Sequence, residues 1–463
     1  MKISVATNFD GKLIEGIKGT NVTNLFGKLT NDFVGGGLET TNLNFIDQKK
    51  VAEHVKQAHE NNLTFNYTFN NPFLSNEEFT QRGKNELKEL LNWLYEIEVD
   101  SLTVSIPILL QYVKKNYPKM EVKISSSVCV NSVSKIRSWE EMGADCIVLD
   151  PMTVNRNFSL LKDLRNSTNI DLELIVNNNC LYECPMLPYH QAFLGQSSRV
   201  KGNKINEDYC YLGCSKKRVL DPVNYLISDI IRPEDVQNYE ELGYNNIKII
   251  DRATPTELLV KRCKAYTDRK YNGNLLDLIQ HFGYHDVSDP YQYLDSVFID
   301  NSKLTKHLTK FLTGECNKLE CGEKCKHCYS FAKRAISIDE AFRERHLSNI
   351  DYQAKKNRKA IIRRRFYLET IKEYRKLINE IDFKLIRNIK ARNLIVQSIG
   401  KIKSDKKINI MQEDRISELM NERKEIARKM QIDQEFIEDI FKLIVSQSCR
   451  LEEDIFKAEV NNK

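Results

Sequence analysis

The residues of this sequence with the clearest chemistry are cysteines. Cys180 and Cys184 are separated by three residues, and a pair with the same spacing, Cys210 and Cys214, follows about 25 residues later. Four thiolates from two such pairs can converge on one metal centre, either tetrahedral zinc or an iron–sulfur cluster. Structural zinc sites usually use pairs with two intervening residues, so the three-residue spacing favours a 4Fe–4S cluster.

A second, more compact group contains Cys316, Cys321, Cys325 and Cys328. Its spacing can also hold one metal, and the closing C-x2-C pair suits zinc as well as iron–sulfur. His327 could replace one thiolate, although an exposed histidine between two cysteines is the simpler interpretation. We therefore expect a second bound metal, either zinc or iron–sulfur.

Clustered cysteines are typical of metal sites in a reducing compartment. The N-terminus enters a strand-like pattern without a signal-peptide segment, and no run of about 18 apolar residues could span a membrane. The sequence thus predicts a cytoplasmic protein with no membrane partner.

The elements that must position the first cysteine pairs are short strands alternating with helical patterns. Residues 3–6, 63–69, 101–107, 121–127, 146–150, 171–177 and 247–250 are the predicted strands. Seven or so such repeats in under 300 residues favour a closed (β/α) barrel, in which chemistry occurs at the C-terminal ends of the strands. Polar residues follow several of these ends, notably Ser125–Ser127, Asp150, Asn177–Asn179 and Asp251–Arg252, although each could equally be a helix cap or turn residue.

This half of the chain resembles peptidase family U32. The resemblance covers roughly residues 1–340 and rests on the cysteine block together with VKISSS (122–127), EMGADCIVL (141–149), NRNF (155–158), IRPED (231–235) and YEELGY (239–244). It implies a 4Fe–4S cluster held by Cys180, Cys184, Cys210 and Cys214. It also implies oxygen-independent hydroxylation of a small molecule or RNA, with prephenate as the hydroxyl source in the RNA cases. Arg156, His190, Arg232 and Arg252 are the candidates for binding carboxylates.

The remainder of the chain has a different composition. All ten prolines precede Tyr291, and residues 351–463 carry 27 Lys and Arg against 19 Asp and Glu. Apolar residues recur there at a helical period, which predicts an all-helical domain whose first helix has about 40 residues or more. A helix of that length usually reaches another subunit.

Basic residues follow the same helical pattern. Arg375, Arg392 and Lys403 are separated by about whole numbers of turns, which suits a dianionic ligand held by guanidinium groups. The alternative for the same residues is a solvated basic surface.

In order and spacing these residues resemble an AroQ-type chorismate mutase, over about 100 residues. The resemblance implies an intertwined helical homodimer in which Arg375 enters the partner's site. It implies that Arg392 and Arg415 bind carboxylates, that Lys403 hydrogen-bonds the ether oxygen of chorismate, and that Ser448 and Glu452 complete the site. Two positions depart from the family: Ile416 stands where a glutamate is common, and Glu452 where a glutamine is common. A glutamate must be protonated in order to donate, so burial would have to raise its pKa.

The two resemblances suggest one hypothesis, since a fused mutase would supply prephenate to the hydroxylase at high local concentration. The predicted domains are a barrel (1–300), a Cys-rich metal-binding segment (301–345) and a mutase-like domain (346–463). An alternative is a cluster-bearing protein whose mutase-like domain only binds a chorismate-pathway metabolite and dimerises the chain. A true peptidase is disfavoured, because neither an H-E-x-x-H motif nor a nucleophile–base pair is evident in the sequence. The acceptor stays open among small molecules, peptides and RNA.

Overall fold

The computed structural model describes residues 1–37, 45–199, 209–279, 291–316, 321, 324–366, 371–430 and 432–461. The chain divides into two compact units, Met1–Lys356 and Asn357–Lys463. No helix of the described residues is both long enough and apolar enough to cross a membrane.

Eight parallel strands form a closed barrel in the first unit, which confirms the predicted (β/α) barrel. Each strand pairs with the next, and β1 closes the barrel against β8, with Lys2 opposite Asn246. The strands are β1 (Lys2–Ala6), β2 (Val22–Gly27), β3 (Thr64–Phe69), β4 (Ser101–Val104), β5 (Glu121–Ile124), β6 (Cys146–Val148), β7 (Asp171–Ile175) and β8 (Asn246–Ile249).

The sequence prediction missed β2 and made several strands too long. β2 reads VTNLFG, and its Asn24 is buried inside the barrel, so the strand lacks the apolar run that marked the others. Residues beyond the true strand ends turn at once into other elements. Pro107 begins a helix, and Ser126–Val128 form a 3₁₀ turn.

Helices surround the barrel and bury its outer face. They are α1 (Gly11–Gly16), α2 (Gln48–Glu60), α3 (Gln81–Glu96), α4 (Pro107–Asn116), α5 (Val133–Glu141), α6 (Pro151–Val154), α7 (Phe158–Asn166), α8 (Leu187–Ser197), α9 (Tyr209–Leu220), α10 (Asn224–Ile227), α11 (Gln237–Glu240) and α12 (Thr256–Asp268). Polar side chains cap several of their N-termini, as Asp47 does for α2 and Ser132 for α5. The core between strands and helices is apolar.

The Cys-rich part of the chain shares a second apolar core with helices flanking the barrel. It contains α13 (Tyr291–Ser296), β9 (Val297–Ile299), α14 (Thr309–Leu312), α15 (His327–Ala335) and β10 (Ile336–Ile338), and β9 pairs antiparallel with β10. Phe331 and Ile299 pack in this core with Tyr225 and Leu258. The Cys-rich segment therefore packs against α10 and α12, two helices that flank the barrel.

The second unit contains the helical region matched to the mutase pattern. After α16 (Glu340–Phe366), which begins in the first unit, come α17 (Ile371–Asp405), α18 (Glu413–Lys429) and α19 (Gln434–Asn461). α19 packs against both α17 and α18. Among the described residues of this unit, Val396 on α17 and Ala427 on α18 are buried apolar side chains. Most of the described large apolar residues of α17 are exposed.

Candidate functional site

A cavity of about 150 Å³ opens at the C-terminal ends of the barrel strands. Side chains from the ends of β2, β3, β4, β6, β7 and β8 line it, together with the loops that follow β5, β6, β7 and β8. The polar strand ends singled out in the sequence contribute Ser125, Ser126, Asp150, Asn178, Asp251 and Arg252 to its wall. The expectation that chemistry would concentrate at this end of the barrel is therefore matched by a cavity there.

Three polar side chains face this cavity with unsatisfied atoms. Asn70 Oδ1, Asn178 Nδ2 and Arg252 Nη2 are buried atoms without a hydrogen-bond partner among the described residues. Buried polar groups are nearly always hydrogen-bonded, and an unsatisfied one costs about 1–3 kcal/mol. Water or a polar ligand that enters the cavity would satisfy these atoms.

The first cysteine block begins where β7 ends. Asn177 donates to the Ile250 carbonyl at 3.0 Å and accepts from the Ile250 amide at 2.8 Å, which fixes the loop to the end of β8. Cys180 lines the cavity three residues later. Glu183, inside the C-x3-C segment, has a φ of +44°, in the left-handed region that non-glycine residues rarely adopt.

The second pair of this block lies on a helix. Cys210 and Cys214 are four residues apart on α9 and so lie on the same helical face, and Arg218 follows one turn later. Burial raises the pKa of the Cys180 thiol to about 12, an effect that the Arg218 charge opposes and the neighbouring Cys214 and Cys184 reinforce. The structure thus places Cys184 and Cys214 close enough to Cys180 for their charges to affect its pKa. Cys180 itself lines the cavity.

The four thiols of this block are the donor type that an iron–sulfur cluster requires. Among the described residues, no three His, Cys, Asp or Glu side chains converge closely enough to hold one metal ion. All twelve cysteines lie in the described part of the chain, and none is in a disulfide.

The second cysteine group occupies the segment between α14 and α15. The Cys316 amide donates to the Lys310 carbonyl at 3.2 Å, and Lys310 Nζ lies 3.7 Å from Cys325 Sγ. Burial raises the pKa of Cys328 to about 11; the nearby Arg156 lowers it, and Cys316, Cys321 and Cys325 raise it further. The four thiols are therefore neighbours, with Cys321 exposed.

His327 contacts a second histidine of the same segment. Its Nε2 lies 2.9 Å from the carbonyl oxygen of His307, and the two imidazole rings stack with centroids 5.5 Å apart. One ring nitrogen is thus used in packing the segment.

The structure separates the four predicted carboxylate-binding residues into two classes. Arg156 donates to the carbonyls of Leu226 and Ile230, and its guanidinium lies 5.0 Å from the Phe311 ring centroid. Arg232 forms a bidentate pair with Asp235 at 2.8 and 2.9 Å. Neither lines the barrel cavity, whereas His190 and Arg252 do.

Sequence reasoning missed several residues of the cavity region. Lys248 on β8 lines the cavity, its Nζ 3.3 Å from Glu173 Oε2 inside the barrel. Lys28 is buried after β2, and Asn70 follows β3. Alternation of inward and outward residues along a strand was the signal available for Lys248. Nothing local marked Lys28 or Asn70.

The helical unit brings together four of the six residues predicted for the mutase site. Arg392 Nη1 donates to Ser448 Oγ, and Lys403 Nζ donates to Glu452 Oε2 at 2.8 Å. Ser448 and Glu452 are buried, and both pairs join α17 to α19. Gly400 lies against Glu452, where a Cβ would come within 3.3 Å of Glu452 Cγ and 3.0 Å of Ile455 Cδ1.

Arg375 and Arg415 lie outside this group. Arg375 is exposed on α17, and Arg415 is exposed on α18, where it pairs with Glu418. Ile416 is half-buried beside it. Within one chain, the described residues therefore form a partial cationic site, with two of the four predicted cations outside it.

Family comparisons match the two halves of the chain separately. Residues 38–269, half of the chain, match the family described as Peptidase family U32. Residues 374–453 match Chorismate mutase type II. These matches fall on the barrel with its first cysteine block and on α17, α18 and α19.

Comparisons with individual proteins find the following similarities. A protein of Methanocaldococcus jannaschii described as an uncharacterized protease is 29% identical over 308 residues, covering 66% of this chain and 87% of its own length. A solved U32 peptidase structure is 17% identical, covers 54% of this chain and 91% of that chain, and has a TM-score of 0.41. A thiamine phosphate pyrophosphorylase from Pyrococcus furiosus is 11% identical, with a TM-score of 0.32 and coverage of 58% and 94%.

Proposed function

Because this chain belongs to peptidase family U32 and ends in a chorismate mutase type II domain, we propose that it makes prephenate and uses it. The helical unit would rearrange chorismate to prephenate. The barrel would then act as an oxygen-independent hydroxylase with prephenate as the hydroxyl donor. The observation that carries the proposal is the pairing of Arg392 with Ser448 and of Lys403 with Glu452 between α17 and α19.

The mutase reaction needs only what these residues offer. Conversion of chorismate to prephenate is a pericyclic rearrangement, so the protein must hold a compact conformer and stabilise charge on the breaking C–O bond. Lys403 Nζ, 15% exposed and fixed by Glu452 and by the Ile410 carbonyl at 2.8 Å, is a preorganised donor for the ether oxygen. Arg392, held by Ser448, would bind a carboxylate.

A second copy of the chain would complete this site. Ile378, Ile381, Leu385, Ile395, Ile399 and Ile402 on α17 are each at least 40% exposed. An apolar stripe of this extent on one helix is typical of a protein interface. A homodimer would cover the stripe and would allow the exposed Arg375 of one chain to reach the site of the other.

In the barrel, Cys180, Cys184, Cys210 and Cys214 would hold a 4Fe–4S cluster. Such a cluster, when bound, would supply one-electron chemistry beside the cavity. Asn70, Asn178 and Arg252 would orient a polar substrate through their unsatisfied atoms. Leu187 and Leu194 of α8 line the same cavity and would exclude water, and His190 could move a proton there.

A metabolite-binding role without turnover is the second candidate. Ile416 replaces the glutamate common in the mutase family, and Arg415 is paired with Glu418 on the surface. Peptidase activity has less support in the geometry. Ser215 Oγ lies 2.7 Å from His346 Nε2, but both residues are buried and neither lines the barrel cavity.

An anaerobic assay with chorismate tests the first step. The full chain should consume chorismate, followed by its ultraviolet absorbance, and release prephenate; binding of chorismate without its loss would favour the second candidate. Iron and sulfide analysis then tests the cluster. Alanine at Cys180, Cys184, Cys210 or Cys214 should remove the brown absorbance, and alanine at the scattered Cys449 should not.

The acceptor requires a separate experiment. Prephenate labelled with ¹⁸O in its hydroxyl group should pass the label to a candidate small molecule, peptide or RNA in the presence of the cluster-loaded protein. If the label stays in prephenate and its breakdown products with every acceptor class, the hydroxylase proposal is wrong.

A further inference from the structure

Arg252 is a buried cation that Asp32 and Asp251 attract without forming a hydrogen bond to it. Arg252 directly follows β8 and is only 7% exposed. Its guanidinium makes no hydrogen bond within the described part of the chain, and its Nη2 is buried. The preceding residue, Asp251, has a φ of +96°, a strained conformation for a residue with a side chain. Strain of this kind persists where the surrounding structure holds a functional group in place.

Neighbouring charges do not neutralise Arg252. Asp32 is the closest candidate, but its carboxylate is already bound 2.7 Å from Lys28 Nζ, 2.7 Å from the Tyr67 hydroxyl and 2.6 Å from the Gly35 amide. Asp251 also interacts with the buried Arg262. Asp277 also attracts Arg262, but it pairs with Lys261 at 2.9 Å. Among the described residues, four cations (Lys28, Arg252, Lys261 and Arg262) thus share three carboxylates (Asp32, Asp251 and Asp277), which leaves one positive charge.

Arg252 also stands between two cavities. It lines the cavity that contains Cys180, and it lines a second cavity of about 160 Å³ together with Lys28, Thr30 and Thr254. Gly37, with a φ of +84°, approaches so closely that a Cβ there would lie 2.5 Å from Arg252 Nη2. Because Gly37 has no side chain, the guanidinium of Arg252 can occupy this position.

We propose that Arg252 is the carboxylate subsite of the barrel, and that its ligand is a small carboxylic acid reaching into the cavity beside Cys180. This inference rests on the proposed function only in naming prephenate as the acid to test. A planar guanidinium fork matches a carboxylate in two parallel hydrogen bonds. One negative charge balances the site, whereas a phosphate dianion would overcompensate it.

The stability of the ligand-free protein separates this role from a structural one. Removing an unpaired buried charge is neutral or stabilising, whereas removing a structural arginine destabilises. R252Q should therefore keep or raise the thermal midpoint of the barrel, followed by fluorescence of Trp93 and Trp139, both of which lie in the first unit. R137Q, at an exposed position on α5, is the matched control. A lower midpoint for R252Q would overturn the proposal.

Binding is measured by calorimetry on the full chain carrying R392A and K403A, so that the helical unit does not contribute. In this background, prephenate should bind at least tenfold more weakly to the R252Q protein than to the R137Q protein. R252K, which keeps the charge but loses the fork, should fall between them. Unchanged prephenate affinity in R252Q, or an equal loss of affinity for inorganic phosphate, would overturn the carboxylate assignment.

The two proposals can fail separately. If the protein does not turn over chorismate but R252Q still weakens prephenate binding, the proposed function fails and the carboxylate subsite stands. If chorismate is converted and the barrel binds prephenate equally well with R252Q, the subsite alone is wrong.

Discussion

His54 shows how burial sets the chemistry of a single side chain. It lies on α2 against the barrel, with its Nε2 2.8 Å from Thr7 Oγ1, and burial lowers the pKa of His54 to about 4. An unfolded histidine has a pKa near 6.5, so between pH 6.5 and pH 4 the unfolded chain binds a proton that the folded chain does not. We therefore expect the protonation of His54 in this range to destabilise the barrel.

We expect His54→Gln to remove part of this pH dependence. The difference in unfolding free energy between wild type and variant should change by up to about 3 kcal/mol from pH 7 to pH 4, at about 1.36 kcal/mol per pKa unit. Denaturant titration followed by tryptophan fluorescence measures it. Parallel curves for the two proteins would show that His54 titrates normally in the fold.

Lys403 carries the sharpest prediction for the mutase reaction. Losing one preorganised donor to a developing negative charge typically costs about 100- to 1000-fold in rate. Lys403→Ala should reduce kcat for chorismate by that factor, with helical content unchanged by circular dichroism. Lys401→Ala, an exposed lysine two residues earlier on α17, is the control and should retain activity.

Candidate site residues could be predicted from the sequence where their partners lie nearby in the chain or follow a repeating pattern. The spacing of the cysteines and of Arg392 and Lys403 pointed to sites from the sequence alone. Lys28 could not be found in this way, because only tertiary structure places it in one cavity wall with Arg252, more than 200 residues away. The engagement of Arg156 with two backbone carbonyls was equally invisible, since both partners lie about 70 residues later.

Gly400 sets the distance between two helices. Glycine costs about 1 kcal/mol relative to alanine inside a helix, but here it lets α17 approach Ile455 and Glu452 of α19. We expect Gly400→Leu to push α17 and α19 apart and to reduce mutase activity at least tenfold, with little loss of helical circular dichroism. Lys401→Leu places the same side chain one position along, on an exposed part of the helix, and should have a much smaller effect.

Element prediction succeeded where hydrophobic pattern and burial coincide. The apolar period predicted an all-helical domain, which α17, α18 and α19 form, and most barrel strands were located by their apolar runs. β2 was missed because the barrel interior is polar. Asn24 is buried there, and the neighbouring lumen holds Ser4 donating to Glu173 at 2.7 Å. A strand facing such an interior loses the alternation that normally identifies it.

At the level of the whole molecule, the exposed stripe on α17 predicts self-association. Ile395→Asp should convert a dimer to a monomer in sedimentation equilibrium and abolish mutase activity, because a charge cannot be buried in an apolar interface without a large cost. Lys390→Asp, an exposed change of charge on the same helix, should leave both properties intact. A wild-type chain that sediments as a monomer at all concentrations, with full mutase activity, would contradict the dimer.

The pairing of β1 with β8 also orders events on the ribosome. Lys2 meets Asn246, so the barrel cannot close until about 250 residues have been synthesised. The apolar stripe of α17 is synthesised about 130 residues after that, about 7–26 s later at typical rates of elongation. The barrel can thus close before the apolar stripe of α17 leaves the ribosome, so nascent chains that associate through α17 would already have folded barrels.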